Sequence, residues 1–170
     1  MSHQSVRFLL RDVSNSLADN IEFRGGRESE FNNLLAKGLI NKMNYRWLLP
    51  MAAQPSNLAQ NQTRMTTWTI GLLFMKKDTF DASAEQTNTL HDEVYVDVEK
   101  YFHRLDDWSQ TNQDTVGDIV INNIRHTPFF KEQAGVYSGW RSDFQIVTPD
   151  DFIYCTPDNI EIYAGTYRNS

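Results

Sequence analysis

The chain contains one cysteine, Cys155, in 170 residues. A single thiol excludes an internal disulfide framework and a cysteine-based zinc site, and it fits a reducing compartment. Basic residues are also few. There are 16 Lys and Arg against 22 Asp and Glu, giving a formal net charge of -6 and a pI near 5.1. Nucleic-acid binding driven by counterion release needs clustered Lys and Arg, so that class is disfavoured. Long apolar runs are missing as well. The segment Met1–Asp12 carries only a brief one before Arg11, short of the about 7–15 residues of a secretory signal, and has no small-residue cleavage site. The longest stretch elsewhere, Ile70–Met75, falls far below the ~20 residues that span a bilayer. A soluble protein made in a cytoplasm is expected. The only glycine pair, Gly25-Gly26 before Arg27, lacks the spacing and the Lys-Ser/Thr of a nucleotide loop, and reads as a turn.

Aromatic residues are plentiful, with 4 Trp, 7 Tyr and 10 Phe, which sets the chain apart from disordered sequences. The length suits a single domain over 1–170. Val6, Leu9, Leu10, Val13 and Leu17 recur at helical spacing and predict a helix over about 4–18. An irregular connection over 21–44 follows. It holds a short extended piece, Ile21–Arg24, and a helical face (Phe31, Leu34, Leu35, Leu39) interrupted by Gly38. Tyr45–Leu49 reads as a strand stopped by Pro50, and 51–63 as an extended polar loop. Thr66–Met75 alternates as a strand, with Trp68, Ile70, Leu72 and Phe74 on one side. Ser83 with Gln86 forms a capping-box pattern. The stripe Leu90, Val94, Val98, Phe102, Leu105 and Trp108 then predicts a long amphipathic helix over about 83–108. Ser109–Gly117 reads as polar loop, Asp118–Thr127 as a strand ended by Pro128, and Val136–Thr148 as a strand. In that last strand Val136, Trp140, Phe144 and Ile146 oppose a wet face of Gly139, Arg141, Asp143 and Gln145. Phe152–Tyr154 and Ile160–Tyr163 suggest short terminal strands, with a C-terminal tail after 155. The expected class is α+β, an antiparallel β-sheet packed on one face against the long helix and the N-terminal helix.

No catalytic constellation stands out. His103 and Asp107, with Asp106 beside them, share a helix face, but a metal site needs a third or fourth ligand. His91-Asp92-Glu93 lies three turns away, so a solvated face is the simpler reading. Glu99 with His103 and Lys100 with Arg104 likewise read as surface pairs. Cys155 has no histidine nearby in sequence and reads as a small buried hydrophobe. His126 could act as a base without an evident partner, and Asp150-Asp151 more simply cap a strand and start a turn. No cofactor is called for. The polar loop and the wet strand face instead suggest contacts with partner proteins through Gln54, Pro55, Asn57, Asn61, Arg64, Arg141 and Asp143.

Several segments together carry a resemblance. They are the N-terminal helix Val6–Leu17, Ser29-Glu30-Phe31-Asn32 leading into Tyr45–Pro50, the strand Trp68–Met75, the long helix Ser83–Trp108, and Gly135–Phe144 running on to Thr148–Cys155. In element order and scattered residues the chain resembles the neck and tail-completion proteins of tailed bacteriophages. These include tail-terminator-like, head-tail joining proteins of phages of Bacteroidota hosts. The long Phe23–Asn44 connection and the tail after Cys155 depart from the leaner terminator pattern. The resemblance implies a non-enzymatic structural protein of the virion, made in the host cytoplasm. Copies would form a homo-oligomeric ring in the neck or tail, contacting portal, adaptor and tail proteins and leaving a channel for genomic DNA without sequence-specific binding or membrane contact. An acidic protein suits such a channel, since like charge keeps the genome off the wall. The alternatives from the residues alone are a small cytoplasmic enzyme or ligand-binding domain, and a subunit of a phage-like injection or secretion machine.

Overall fold

The computed structural model describes residues 3–56, 64–79, 81–116, 119–133 and 136–149. Helix α1 (His3–Asn15) forms where apolar spacing predicts it and buries Val6, Leu9, Leu10 and Val13. Strand β1 (Glu22–Gly25) and helix α2 (Glu28–Ala36) occupy the stretch expected to be irregular. Helix α2 starts where the Glu30 carboxylate accepts the Arg27 N–H at 2.9 Å. Gly38 does not interrupt a helical face; it ends the helix. It sits at φ +69°, its N–H donates to the Leu35 carbonyl at 3.0 Å, and the Leu39 N–H reaches the Leu34 carbonyl at 2.9 Å. That left-handed cap satisfies the last carbonyls, and Leu39 is left beyond the helix and exposed.

Strands β2 (Asn44–Leu48), β3 (Ala52–Pro55) and β4 (Met65–Lys77) come next. The loop expected at 51–63 therefore contains a strand, hidden by its small and polar composition. Leu48 lies opposite Leu72 and Ala52 opposite Thr69, so β2 and β3 line the same side of β4 with one extra residue between them. The break falls at Pro50, which has no N–H to give the ladder. Helix α3 (Ala84–Val116) opens with the expected capping box. The Ser83 N–H donates to Gln86 Oε1 at 2.9 Å, and the Gln86 N–H to Ser83 Oγ at 3.3 Å. It runs past Trp108 through the stretch expected as polar loop. No Gly or Pro occurs from Ser109 to Val116, and Ser, Gln, Thr and Asn each cost a helix only a fraction of a kcal/mol, about 0.5.

Strands β5 (Val120–Gln133) and β6 (Tyr137–Pro149) complete the described sheet. Pro128 does not end β5; it lies opposite Trp140, inside a strand that among the described residues is an edge, bonded to β6. An edge position tolerates a missing N–H that would face outward. The order is β1-β2-β4-β6-β5 with β3 beside β4, and β1 runs parallel to β2 while the other pairs are antiparallel. The protein is α+β with a mixed sheet. At the centre, β6 presses against β4 so closely that a Cβ on Gly139 would stand 1.9 Å from the Phe74 carbonyl oxygen.

Helices cover both faces, which corrects the one-sided expectation. One face holds the main core, where α1 and α3 meet Ile70, Leu72, Phe74, Phe144 and Ile146. On the other, Phe31 of α2 packs edge-on against Trp47 at 5.0 Å and Tyr137 at 5.4 Å, with Leu73 and Met75 beneath. Val136, expected with Phe144, packs in this second cluster. Alternation along β2 sends Tyr45 and Trp47 to the α2 side and Arg46 to the main core. Arg46 is fully buried there. Its Nε donates to Asp97 of α3 at 3.2 Å, one Nη to Ser14 Oγ of α1 at 2.9 Å and to Asp19 at 3.2 Å, and the other Nη also reaches both carboxylates.

Breaking a buried ion pair by removing one partner costs about 3–5 kcal/mol, whereas replacing the pair with apolar groups is close to neutral. Arg46→Met is therefore expected to lose about 3–5 kcal/mol in urea melts at neutral pH, and adding Asp97→Leu to recover most of that loss.

Candidate functional site

The face of the sheet that α2 leaves uncovered carries the residues singled out in the sequence. Arg141 and Asp143 on β6 floor an open groove of about 520 Å³, with Gly71 beside them, Leu49 and Pro50 along one wall, and Arg27 and Glu28 at the start of α2. Arg141 and Asp143 pair with each other, Nη2 to Oδ1 at 3.0 Å. Gln54 lies opposite Thr67, itself opposite Val147, so it shares this face at its far end. Pro55, opposite Thr66, alternates to the helix-covered face, and Arg64 is exposed just ahead of β4. Asn57 and Asn61 lie outside the described residues, as do Asp150-Asp151, Cys155 and the expected terminal strands.

Two smaller grooves follow, the first sharing Arg27, Leu49 and Pro50 with this one and the second sharing Arg7 with the first. One, of about 290 Å³, lies between Arg7 of α1 and Arg27, over Gly25 and Gly26. The other, of about 270 Å³, is bordered by Arg7, Arg11, Phe23 and Arg24. Arg11 pairs with Asp12 at 3.2 Å, and Arg24 with Glu22. Burial pushes the Glu22 carboxyl up, but its hydrogen bonds and charge contacts with Arg24 and Lys42 outweigh this and hold it below the usual range. Arg7 and Arg27 are in no ion pair among the described residues. Sequence reading did not single out this arginine set, because it is assembled from three elements.

The remaining candidates have structural partners. His126 Nδ1 lies 2.8 Å from Ser142 Oγ, with the Tyr95 and Phe102 rings against it from α3. A serine beside a histidine is the start of a nucleophile and base pair, yet Ser142 is fully buried and no substrate atom can reach it. His91 is buried under Phe130 and bonds the Phe129 carbonyl at 3.0 Å. His103 and Asp107 are exposed, and no three His, Cys, Asp or Glu side chains converge as a ligand set among the described residues. Asp78 is buried with Ser138 Oγ bonded to it at 3.0 Å.

The Arg46 cluster was missed in the sequence, although an arginine between Tyr45 and Trp47 at an inward position was its signal. Burial lowers the guanidinium, but the two carboxylates overcome that and raise it above its ordinary value. Burial pushes Asp97 up by more than Arg46 pulls it back, and the neighbouring Asp19 charge adds to the rise. Asp19 is less enclosed, so Arg46 wins over burial and holds it low. Burial, with Tyr45 adding to it, pushes Tyr137 up to about 12, and burial raises Tyr101 higher still against the pull of Arg46.

No protein-family model matches the chain, and no curated protein matches it. No described helix is long and apolar enough to cross a membrane.

Burial depresses His126 below the ordinary histidine value of 6.5. Between the depressed folded value and 6.5 the unfolded chain binds more protons, so stability is full above 6.5 and declines as pH falls through that window. Melting temperature measured across it is expected to drop with pH, and His126→Gln to flatten that leg of the curve.

Proposed function

We propose that this chain is a structural virion protein of a tailed bacteriophage. In this reading it is a subunit of an oligomeric ring in the neck or tail that joins the head portal to the tail and leaves a channel for DNA. The observation that carries the proposal is how the polar groups are used. Arg46, Asp97, Asp19, Asp78, His91 and His126 are engaged in holding helices and strands together, while the surface presents open, shallow grooves and a long edge strand. That division suits a component whose work is done by contact, not by chemistry. The resemblance in element order to neck and tail-completion proteins supports the same reading. Its partners would be copies of itself, then portal, adaptor and tail proteins, with location in the virion.

The enzyme alternative has one favourable observation, the Ser142–His126 contact, and the burial of Ser142 weighs against it. A subunit of an injection machine would also assemble, without a DNA channel.

Light scattering across a concentration series, followed by negative-stain imaging, is expected to reveal closed rings with a central hole, either alone or on co-expression with a portal and tail-tube pair. A monomer at every concentration and with those partners present overturns the proposal.

A further inference from the structure

The buried cluster around Arg46 sets two carboxylates against one cation. Each fork of the guanidinium meets a carboxylate: Nε and Nη2 face Asp97, while Nη2 and Nη1 face Asp19. Nη1 also donates to Ser14 Oγ at 2.9 Å, so every donor nitrogen is in use. The two carboxylates therefore meet at Nη2, like charges in a place with little water. The Arg46 side chain is fully buried, and those of Asp97 and Asp19 are 16% and 29% exposed. Two carboxylates that share a site do not both ionise as readily as either does alone. Among the described residues no second cation pairs with them. Lys100 of α3 pulls Asp97 down through its charge without forming an ion pair. On β4, Lys76 pairs with Glu93, one turn earlier on α3, and on α1, Arg11 and Asp12 pair with each other. Arg104 bonds Ser16 Oγ at 2.9 Å, and Tyr101, beside the guanidinium, commits its hydroxyl to the Leu10 carbonyl.

Asp19 stands in a turn that depends on it. Ala18 at φ +52° and Asn20 at φ +59° flank it, both left-handed, a conformation that costs any residue with a side chain. Residues 18–20 are all exposed, so apolar packing does not seat them. What seats them is the Asp19 carboxylate. Its Oδ1 accepts the Ile21 N–H at 3.2 Å, and the Arg46 bonds tie the same group to β2. The grip of Arg46 on Asp19 thus decides how firmly the end of α1 is held to the sheet.

We infer that the cluster is a proton-operated clamp: in mild acid Asp97 takes up a proton, Arg46 keeps Asp19 as its one charged partner, and the end of α1 closes more firmly on the sheet. Asp97 receives the proton because it is the more enclosed carboxylate, where a charge is penalised most. The neutral carboxyl still accepts from the guanidinium through its carbonyl oxygen, so α3 stays attached. The directions of the two groups agree with this order. Burial holds Asp97 above its ordinary value of 3.8, and the Arg46 bonds hold Asp19 below it against burial. Since the folded chain binds the Asp97 proton more tightly than the unfolded chain, the stability from this group is full below 3.8 and is lost as pH rises through the folded value. The sign is opposite to that of His126.

Carbon-13 NMR of the aspartate carboxyls in the full wild-type chain tests the proton directly. One carboxyl is expected to titrate above 3.8, and Asp97→Asn to remove that signal. Because Asn imitates the neutral carboxyl, Asp97→Asn is expected to be more stable than the wild type at pH 7. That margin shrinks as pH falls, by up to about tenfold in the folding constant for each unit by which the midpoint exceeds 3.8. Comparison at each pH cancels the His126 contribution. Asp19→Asn, which removes the competing charge, is expected to lower the Asp97 midpoint. Amide hydrogen exchange, corrected for its intrinsic pH dependence, reads the clamp itself. Protection of Ser16, Leu17 and Ala18 is expected to rise in the wild type as Asp97 is protonated, and to stay level through the same range in Asp97→Asn. An Asp97 carboxyl that titrates at or below 3.8 overturns the inference, as does a midpoint unmoved by Asp19→Asn. So does wild-type protection that fails to rise with protonation, or that follows the same course in Asp97→Asn.

Discussion

A charge buried between three elements governs how this protein is put together. Arg46 comes from the middle of β2, Asp97 from the middle of α3, and Ser14 and Asp19 from the end of α1 and the turn beyond it. Hydrophobic packing alone is non-directional and would let α1 slide along the sheet. A guanidinium with donors fixed in a plane removes that freedom, because each carboxylate must meet a particular nitrogen. Tyr101 adds to the lock: its hydroxyl donates to the Leu10 carbonyl at 2.9 Å, and its ring lies 5.8 Å from the guanidinium carbon. Burial outweighs the pull of Arg46 at the more deeply placed Asp97, which rises, and yields to it at the more open Asp19, which falls.

With α1 and α3 fixed on one side of the sheet, the helix that covers the other side among the described residues is nine residues long. Helix α2 is long enough to protect only part of it. Where Phe31 reaches, the sheet presents Tyr45, Trp47, Leu73, Met75 and Tyr137; beyond it the same face turns to Thr67, Thr69, Gly71, Arg141, Asp143 and Gln145. The changeover within β4 and β6 is a change of residue type at constant alternation. The shortness of α2, set by the Gly38 cap, thus determines where the groove begins.

Much of this was legible in the chain. Period and capping chemistry gave α1 and the start of α3, and alternation gave β4, β6 and the wet positions Arg141 and Asp143. What escaped notice has physical reasons. Gly38 looks the same in sequence whether it weakens a helix or ends one, and only the left-handed backbone decides. Strand β3 is made of Ala52, Ala53, Gln54 and Pro55, residues with little strand preference, and exists because β4 offers them a ladder. Pro128 reads as a stop until β5 is known to be an edge. Gln54 and Pro55 looked equivalent as loop residues, whereas a strand puts neighbours on opposite faces. The arginines that border the grooves come from positions 7 to 27 on α1, β1 and the start of α2, and no window of sequence contains their geometry.

Net charge is a poor guide to what such a surface does. A formal charge of -6 suggests uniform repulsion between copies and from DNA. The ion pairs argue otherwise, because they remove many charges from the count locally: Arg11 with Asp12, Arg24 and Lys42 with Glu22, Lys76 with Glu93, and Arg141 with Asp143. The exposed charges in no ion pair among the described residues are mixed in sign, with Arg27 beside Glu28 at the start of α2, Arg125 on β5, and Lys100 and Arg104 on the same helix as Asp92 and Glu99. At physiological ionic strength a charge is felt over about 8 Å, so a neighbouring molecule meets the local patch and not the total. An excess of carboxylates over the whole chain is therefore compatible with self-association, because contact between copies is decided by the few charges and apolar groups at the contact.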